Sequence, residues 1–337
     1  MSRSQLTSTV EQNTGGAVAP FVAGKNKIIN GDFGIWQRGT SFTATSAADI
    51  YLADRFDAIW DGSGSRAMSQ QTFDYSASPA ADKLPITGYP STYFLRYAQT
   101  VAGTGATYSV VRQKIEDVKT FAGQTVTLSF WLKADSNRTI NAPALQQNFG
   151  SGGSGGVTTV AGSGISATTS WQRFSFTIAV PSISGQTIGS GSNLQAQIFL
   201  PINTTFTVDT WGWQLEAGSA ATPFTTATGT VQGELAACQR YCQVANNQFG
   251  QMYSTTSARI IWPVQVQMRT IPTITYPAGA YTNFIEQVGI GNLTPTGFSF
   301  SSVDNNFIYT NATGMTAGTT FNPVRYNGTS FIASSEL

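Results

Sequence analysis

The feature that most constrains the fold is a series of short segments in which apolar and polar residues alternate. In residues 125–134, Val126, Leu128 and Phe130 alternate with Thr127 and Ser129. A period of two places successive side chains on opposite faces of an extended chain, so we predict half-buried antiparallel strands. The clearest segments are TYFLRYAQ (92–99), TYSVVRQKI (107–115), TVTLSFWLKA (125–134), WQRFSFTIAV (171–180), AQIFLPI (196–202) and TFTVDTWGWQLE (205–216). Many such strands, separated by turn residues, predict an all-β sandwich or jelly roll.

One stretch, residues 230–247, breaks this pattern. Its apolar residues recur at spacings of 4, 3, 4 and 3, which indicates a stripe along one face of a helix. The same spacing is typical of a coiled-coil seam, where several copies of a chain meet around an axis. Packing of the helix on its own sheet is the alternative. The candidate oligomer-interface residues are Val231, Leu235, Cys238, Cys242 and Ala245.

These patterns divide the chain into four parts. Residues 1–24 are small and polar without periodicity, which is typical of an attachment arm. Residues 25–226 hold the alternating strands, and residues 227–247 form the connecting helix. Residues 248–337 return to strand signals, so we predict a smaller C-terminal β domain there.

The composition argues against most kinds of catalysis. The chain has no histidine, two cysteines, and only 10% charged residues, against about 25% in an average soluble domain. Histidine is the most frequent general base and metal ligand, so its absence disfavours hydrolases, transferases and metalloenzymes. With 18 basic and 17 acidic residues, the chain has no electrostatic footprint for nucleic acid. We therefore expect a binding protein and no enzyme, with neutral partners such as sugars or protein surfaces.

Paired carboxylates are the remaining route to hydrolysis, because glycosidases need only two. The densest acidic stretch contains Asp49, Asp54, Asp57 and Asp61. Acidic residues beside strands are mostly turn formers or partners of arginine. The two cysteines have no further cysteine or histidine with which to bind a metal, and we predict that they are small core residues.

Aromatic residues are the stronger candidates for a binding function. Sugar rings present apolar C–H faces that stack on indole rings, and amide and guanidinium groups can bind the hydroxyls. A tryptophan on an alternating strand is usually core, as expected for Trp131 and Trp171. The candidate ligand-binding residues are Trp36 and Trp60, which lie beside turn residues, and Arg38.

The sequence resembles a module found in bacteriophage tail fibres and other virion proteins. The matching blocks are NKIINGDFGIWQRGTSF (26–42), YLADRFDAIWDG (51–62), FWLKADS (130–136), SWQRFSFTI (170–178), WGWQLEAGSAATPF (211–224) and ELAACQRYCQ (234–243). The chain departs from the usual pattern at Phe56, where the module has Trp, and at Cys242, where it has Tyr. The module is similar to carbohydrate-binding jelly rolls of the galactose-binding type, and this likeness implies the same fold here.

The resemblance implies a structural virion protein, either a tail fibre or a tail-associated adhesin. Its partners would be host cell-surface polysaccharide, other virion proteins through the N-terminal arm, and further copies in a homotrimer. The chain would be assembled in the host cytoplasm, with no nucleic acid bound and no membrane insertion. Some sugar-binding relatives hold a structural calcium ion, for which Asp32 and Asp209 are the candidate ligands here; no other cofactor is expected. The alternatives are a capsid decoration or head-fibre protein and, second, a polysaccharide depolymerase.

Overall fold

The computed structural model describes residues 23–75, 86, 88–245, 248–275, 285–287, 291–293, 295–302, 307–315, 323–326 and 331–337. The predicted attachment arm, residues 1–24, lies outside the described residues except for Ala23 and Gly24. The Gly24 amide donates to the carbonyl of Ala227 at 2.8 Å. The chain therefore enters the fold beside the segment that follows its last sandwich strand.

The first part of the described chain is built from strands alone. In chain order they are β1 (Ser41–Ala44), β2 (Ala48–Tyr51), β3 (Phe56–Trp60), β4 (Arg66–Thr72), β5 (Tyr93–Gln99), β6 (Ser109–Ile115), β7 (Thr125–Ala134), β8 (Arg138–Ile140), β9 (Ala144–Asn148), β10 (Val157–Val160), β11 (Ile165–Ala167), β12 (Gln172–Ala179), β13 (Asn193–Phe199) and β14 (Phe206–Ala217). Each of the six segments singled out by alternation overlaps one of these strands.

Twelve of these strands form two antiparallel six-stranded sheets that pack face to face. The first sheet has the order β1-β4-β5-β14-β7-β12, and the second has the order β10-β9-β13-β6-β3-β2. From β5 to β14 the long strands alternate between the two sheets, which is the connectivity of a jelly roll. The predicted all-β jelly-roll sandwich is thereby confirmed.

The core lies between the two sheets. The ring centroids of Trp213 in the first sheet and Phe56 in the second lie 5.4 Å apart, with the two rings nearly perpendicular. The Tyr97 hydroxyl reaches across to Ser109 Oγ at 3.1 Å. Leu95, Val111 and other aliphatic side chains fill the space between these contacts. Burial of this apolar surface is the main stabilising contribution to the sandwich.

Strand β7 departs from the prediction of a half-buried strand. Thr127 and Ser129, expected to face solvent, are buried. Thr127 Oγ1 donates to the carbonyl of Gly218 at 2.8 Å, and Arg173 of β12 donates to Ser129 Oγ at 3.1 Å. Because chain segments cover the outer face, β7 is buried on both sides, and its polar residues are satisfied by hydrogen bonds.

The predicted helix is shorter than the apolar stripe suggested. Helix α1 spans Val231–Gln239, and the Thr230 side chain caps it by accepting from the Gly233 amide. Cys242 and Ala245 lie beyond its end, on strand β15. The prediction of one helix through residue 247 is wrong, because this segment pairs instead with the last strand of the chain.

The C-terminal part of the chain is again built from strands. They are β15 (Cys242–Ala245), β16 (Phe249–Ser254), β17 (Ser257–Pro263), β18 (Thr273–Thr275), β19 (Ile285–Gln287), β20 (Gly291–Leu293), β21 (Gly297–Ser302), β22 (Phe307–Thr313), β23 (Pro323–Tyr326) and β24 (Phe331–Ser334). They form a three-stranded sheet, β15-β24-β18, and a seven-stranded sheet, β20-β19-β23-β16-β17-β22-β21. A separate core around Met252, Ile260, Trp262 and Phe331 holds the two together.

A cluster of charged side chains joins the C-terminal strands to the sandwich. Glu336, which follows β24, accepts hydrogen bonds from Arg55 and, at 3.1 Å, from Arg38. The Lys114 ammonium donates to an oxygen of Leu337 at 2.8 Å. We call these five residues the joint. Arg55 and Glu336 are almost fully buried there, so each guanidinium or carboxylate depends on its partner.

Within the described residues, no helix combines the length and the apolar character needed to cross a membrane.

Candidate functional site: an aromatic cleft at Asp32

The candidate site is a cleft at the edge of the sandwich, with a volume of about 380 Å³. Five chain segments meet there: the turn after residue 30, the residues before β5, strand β14, the segment after it, and the start of α1. The side chains most important for its chemistry are those of Asp32, Tyr89, Ser91, Tyr93, Trp211 and Phe224. We call this site the Asp32 cleft.

The turn that carries Asp32 follows directly from the local sequence. Asn30 and Phe33 have left-handed backbone angles, with φ of 58° and 55°. Between them, Gly31 lies so close to β14 that a Cβ atom would stand 2.3 Å from the carbonyl oxygen of Trp213. Only glycine fits at that distance. The Trp213 amide donates to the Gly31 carbonyl at 2.9 Å, which fixes Asp32 beside the cleft.

Aromatic rings form one wall of the cleft. The ring centroids of Trp211 and Phe224 lie 4.8 Å apart, and those of Tyr89 and Trp211 lie 5.7 Å apart. The Tyr89 hydroxyl accepts a hydrogen bond from the Phe224 amide at 2.8 Å. Trp131 supports this wall from behind, with its centroid 5.3 Å from that of Trp211. The wall is therefore rigid and largely preformed.

Two polar atoms of cleft residues have no hydrogen-bond partner among the residues described. They are Nε1 of Trp211 and Oγ of Ser91, and both residues are buried. The neighbouring Trp213 shows the usual arrangement, because its Nε1 donates to Thr210 Oγ1 at 2.8 Å. A buried donor without an acceptor costs about 1–3 kcal/mol. Ten further buried side-chain atoms in the described part of the chain, among them Nε1 of Trp60, also lack a partner, so these two atoms do not by themselves mark a ligand site.

Asp32 gives the cleft its charge. Burial raises the pKa of the Asp32 carboxyl, the nearby Glu234 carboxylate raises it further, and the amides of Asp32 and Gly34 partly offset both effects. Glu234 is itself held by the Asn30 amide at 2.7 Å and by the Thr228 hydroxyl at 2.8 Å. Across the described part of the chain, Asp32 forms no ion pair.

The predicted ligand-binding residues lie elsewhere. Trp60 is only 1% exposed and packs in the core beneath Arg66, so it cannot present its ring to a sugar; its assignment as a ligand residue is wrong. Arg38 is engaged at the joint with Glu336 and Ser334. Trp36 is half-buried, stacks 6.4 Å from Phe42, and donates from Nε1 to the Phe33 carbonyl at 2.7 Å. None of the three lines the Asp32 cleft.

The two candidate calcium ligands are not suited to a shared ion. Asp209 is buried on β14 and accepts from Arg96 at 2.8 Å through both carboxylate oxygens, while Lys133 lies 3.5 Å away. Its oxygens are therefore already neutralised, and its assignment as a calcium ligand is wrong. Among the residues that the structure places, no group of three or more metal-ligating side chains comes together. Calcium consequently enters none of the proposals below.

Only part of the predicted oligomer interface is exposed to solvent. Cys238, Cys242 and Ala245 are buried within the chain, so the prediction that they meet other copies is wrong. Both cysteines are free thiols, and burial raises the pKa of Cys242 to about 12. Val231 is 74% exposed and Leu235 is 37% exposed. Only these two of the five remain accessible to a second copy.

Most residues of the cleft carried no clear signal in the sequence. Tyr89, Ser91 and Tyr93 belong to a segment without a matching motif. Trp211 and Phe224 lie in a matched block, WGWQLEAGSAATPF, but strand alternation made Trp211 look like ordinary core. The one usable signal was Asp32, an acidic residue in a tight turn of the opening block.

Comparisons with known proteins give distant structural neighbours and no sequence relatives. No protein-family model matches the chain, and no curated protein matches it. The family 11 carbohydrate-binding module of cellulase Lic26A-Cel5E of Clostridium thermocellum is 11% identical, with a TM-score of 0.32, over 52% of this chain and 99% of that one. The N-terminal cellulose-binding domain of Cellulomonas fimi β-1,4-glucanase C is 16% identical, with a TM-score of 0.30, over 40% and 84%.

A third neighbour comes from a virus. The enzymatically active domain of tailspike protein 4 of bacteriophage CBA120 is 12% identical, with a TM-score of 0.32; the match covers 58% of this chain and 22% of that one. The neighbours are thus mostly carbohydrate-binding β-sandwiches. At these TM-scores the assignment of the fold rests on the sheets and the core described above, and the ligand has to be argued from the cleft itself.

Proposed function

We propose that this chain is a non-enzymatic glycan-binding protein and that the Asp32 cleft is its saccharide site. The observation that carries the proposal is the combination of an aromatic wall with the Asp32 carboxyl and several hydroxyl-bearing side chains in one concave site. A mainly apolar surface with a few well-placed polar groups is the usual composition of a small-molecule site.

The chemistry of the cleft suits a sugar ring. A pyranose has apolar C–H faces, which pack against aromatic rings, and hydroxyl groups, which both donate and accept hydrogen bonds. Hydroxyl-bearing side chains of the lining, such as Thr92 and Tyr93, can both donate and accept, and the Asp32 carboxylate accepts. The volume of about 380 Å³ falls within the range of roughly 300–1,000 Å³ seen for small-molecule sites. It would hold one or two sugar residues.

The second part of the proposal places the protein in a bacteriophage virion, as a tail fibre or tail-associated adhesin. Its support is the resemblance of the opening and closing sequence blocks to those of virion proteins. Weak binding at one cleft would gain strength from several copies engaged together on a cell surface. Leu235, which is exposed on α1, is the remaining candidate for contact between copies in a homotrimer that leaves the cleft open, because Val231 lines the cleft. Residues 1–24 are the proposed attachment to the particle.

Two measurements test this second part. Immunogold labelling of intact particles should place the protein on the tail, whereas labelling on the head would support the decoration-protein alternative. Light scattering of the purified chain should give a trimer, and Leu235→Asp should shift it toward monomer while the β-type circular dichroism remains. A wild-type chain that stays monomeric at high concentration would contradict the trimer.

The experiment on the cleft compares two tryptophans that differ in one respect. Trp211 and Trp60 are both buried, and Nε1 of each lacks a partner among the described residues, but only Trp211 lines the cleft. The full chain and the variants Trp211→Phe and Trp60→Phe would be applied to an array of bacterial surface glycans. We expect wild-type binding to at least one glycan, about tenfold weaker binding by Trp211→Phe, and binding within about twofold of wild type by Trp60→Phe. Loss of part of the aromatic contact surface accounts for a change of this size.

The outcomes separate binding from other roles. Absence of binding to any glycan would overturn the proposal. Equal loss in both variants would show a general effect on folding and would remove the cleft from the argument. Release of oligosaccharide from host capsule or lipopolysaccharide by the purified chain would contradict the non-enzymatic proposal and favour the depolymerase.

A further inference from the structure

The charge of the Asp32 cleft has no counterpart nearby. Asp32 is the only charged residue among those that line the cleft in the described part of the chain. Behind it lies the buried carboxylate of Glu234, whose partners are backbone amides and a hydroxyl, all of them neutral. Two acidic groups therefore act on this site from the same side.

Four cations of the sandwich are committed to other groups. The Lys25 ammonium lies 3.3 Å from Glu216, and the Arg173 guanidinium donates to the carbonyl of Thr222 while it stacks 4.6 Å from the ring of Trp131. The Arg96 guanidinium and the Lys133 ammonium both form ion pairs with Asp209. None of these four lines the cleft, so none offers an anion a partner inside it.

We infer that the Asp32 cleft selects saccharides by charge: it binds uncharged and amine-bearing sugars and excludes sugars that carry a carboxylate or a sulfate. This inference rests on the proposed glycan-binding function and names the class of glycan. An anionic sugar would bring a second negative group within a few ångströms of Asp32, where partial burial limits screening by water and salt. An ammonium group would instead form an ion pair with Asp32, and a hydroxyl would donate to it.

The raised pKa of the Asp32 carboxyl is consistent with this arrangement. Burial beside another carboxylate destabilises the ionised form of a carboxyl group, and a cationic ligand would stabilise that form. The other side chains that line the cleft are neutral, so they add no charge of their own to this selection.

The test uses matched pairs of glycans that differ in charge and little else. The pairs are chito-oligosaccharides with and without N-acetyl groups, oligogalacturonates and their methyl esters, and sialylated oligosaccharides before and after removal of sialic acid. They would be printed together with the bacterial surface glycans and probed at pH 7.5 with the full-length chain. The variants are Asp32→Asn, which removes the charge but keeps an acceptor oxygen, and Asp49→Asn, which makes the same charge change outside the cleft.

For the wild type we expect the uncharged member of the galacturonate and sialic acid pairs to be preferred by about tenfold or more, and the amine-bearing chito-oligosaccharides to bind at least as well as their N-acetylated forms. Asp32→Asn should reduce that preference to about twofold, and Asp49→Asn should leave it unchanged. Asp32→Ser provides a second variant if Asp32→Asn unfolds, as judged by circular dichroism. Strong wild-type binding to acidic glycans, or a preference unaffected at Asp32, would overturn the inference and leave the proposed function intact. No binding to any glycan would overturn both.

Discussion

The two β domains use aromatic residues in opposite ways. In the jelly roll, the rings around Trp211 line a cleft that also contains the Asp32 carboxyl and several hydroxyl-bearing side chains. In the C-terminal domain, strands β16 and β17 turn one face outward, and that face carries Phe249, Tyr253 and Ile261, all at least 46% exposed. A broad depression of about 650 Å³ lies over this second set, which we call the open face.

The comparison shows that the number of aromatic residues does not locate a binding site. The open face is the larger concavity, but its floor is a flat pair of strands on which side chains simply alternate in and out. The smaller Asp32 cleft is lined by several chain segments that bring a carboxyl and several hydroxyl groups beside the aromatic rings. This combination matches the usual composition of a small-molecule site more closely than exposed apolar area alone does.

The largest expected effect concerns the joint, which makes the two domains depend on one another. Replacing Glu336 by glutamine removes the charge that compensates Arg55 and Arg38, leaving two guanidinium groups near one neutral amide. Removing one partner of a buried ion pair costs about 3–5 kcal/mol, so we expect a loss of about 4 kcal/mol in the free energy of unfolding. Urea unfolding followed by tryptophan fluorescence measures it.

The control for this change is Lys119→Gln, which removes an exposed ion pair with Asp117 and should cost less than about 1 kcal/mol. Hydrogen exchange at residues 331–334 should accelerate in Glu336→Gln and remain unchanged in the control. If both variants have the stability of the wild type, the two domains are held together by something other than the joint.

The joint also shows what the sequence could and could not reveal. Blocks such as YLADRFDAIWDG and ELAACQRYCQ pointed to important positions, and Asp54, Arg55 and Glu234 are indeed buried. Their role in the structure is to connect distant segments: Asp54 accepts from Gln37, and Glu234 accepts from the amide of Asn30. No local pattern can show that Arg55 meets a residue 281 positions away.

The strands were easier to predict than the site. A period of two is a local property of an extended chain, so the positions of β5, β6, β7, β12, β13 and β14 could be read directly. The helix was overextended because its apolar spacing continued into β15, where pairing with β24 decided the conformation. Residues 150–164 are rich in glycine and would be predicted to form a loop, but Val157–Val160 is strand β10, because β9 provides a hydrogen-bonding edge.

A second prediction tests which side chains of the C-terminal sheet face its core and which face solvent. Met252 points inward and is fully buried, whereas Phe249, three residues earlier on the same strand, is 69% exposed. Met252→Ala should therefore cost about 3 kcal/mol through lost burial and a cavity. Phe249→Ala should change the free energy of unfolding by less than about 0.5 kcal/mol. Thermal or urea unfolding of the two variants, each followed by circular dichroism, gives both values.

Each outcome bears on the comparison of the two domains. A large cost for Phe249→Ala would mean that the open face is covered in the protein as it exists in solution, and the contrast with the cleft would then fail. A small cost for Met252→Ala would mean that the C-terminal core is loosely packed. Glycan binding by the full chain should be unchanged in Phe249→Ala, because the open face lies outside the Asp32 cleft.

The smallest expected effect is a dependence of stability on pH that comes from the sandwich and not from the open face. Burial and the neighbouring Asp57 raise the pKa of Asp49 from 3.8 to about 6, although Arg112 and Lys114 act in the opposite direction. Between about pH 4 and pH 6 the folded protein therefore binds a proton at Asp49 that the unfolded chain has already released. Stability then falls as the pH rises through this window, because the folded state holds more protons than the unfolded state. The open face has no carboxylate among Phe249, Gln251, Tyr253, Arg259, Ile261 and Pro263, so it contributes nothing to this trend.

Asp49→Asn should reduce the slope of unfolding free energy against pH, measured by urea titrations at pH 4, 5, 6 and 7. Part of the slope should persist, since burial also raises the pKa of Asp32 and Asp54. A slope unchanged by Asp49→Asn would show that Arg112 keeps this carboxylate ionised throughout. Asp49 and Asp57 of the second sheet would then be neutralised by their cations as fully as Glu336 is at the joint.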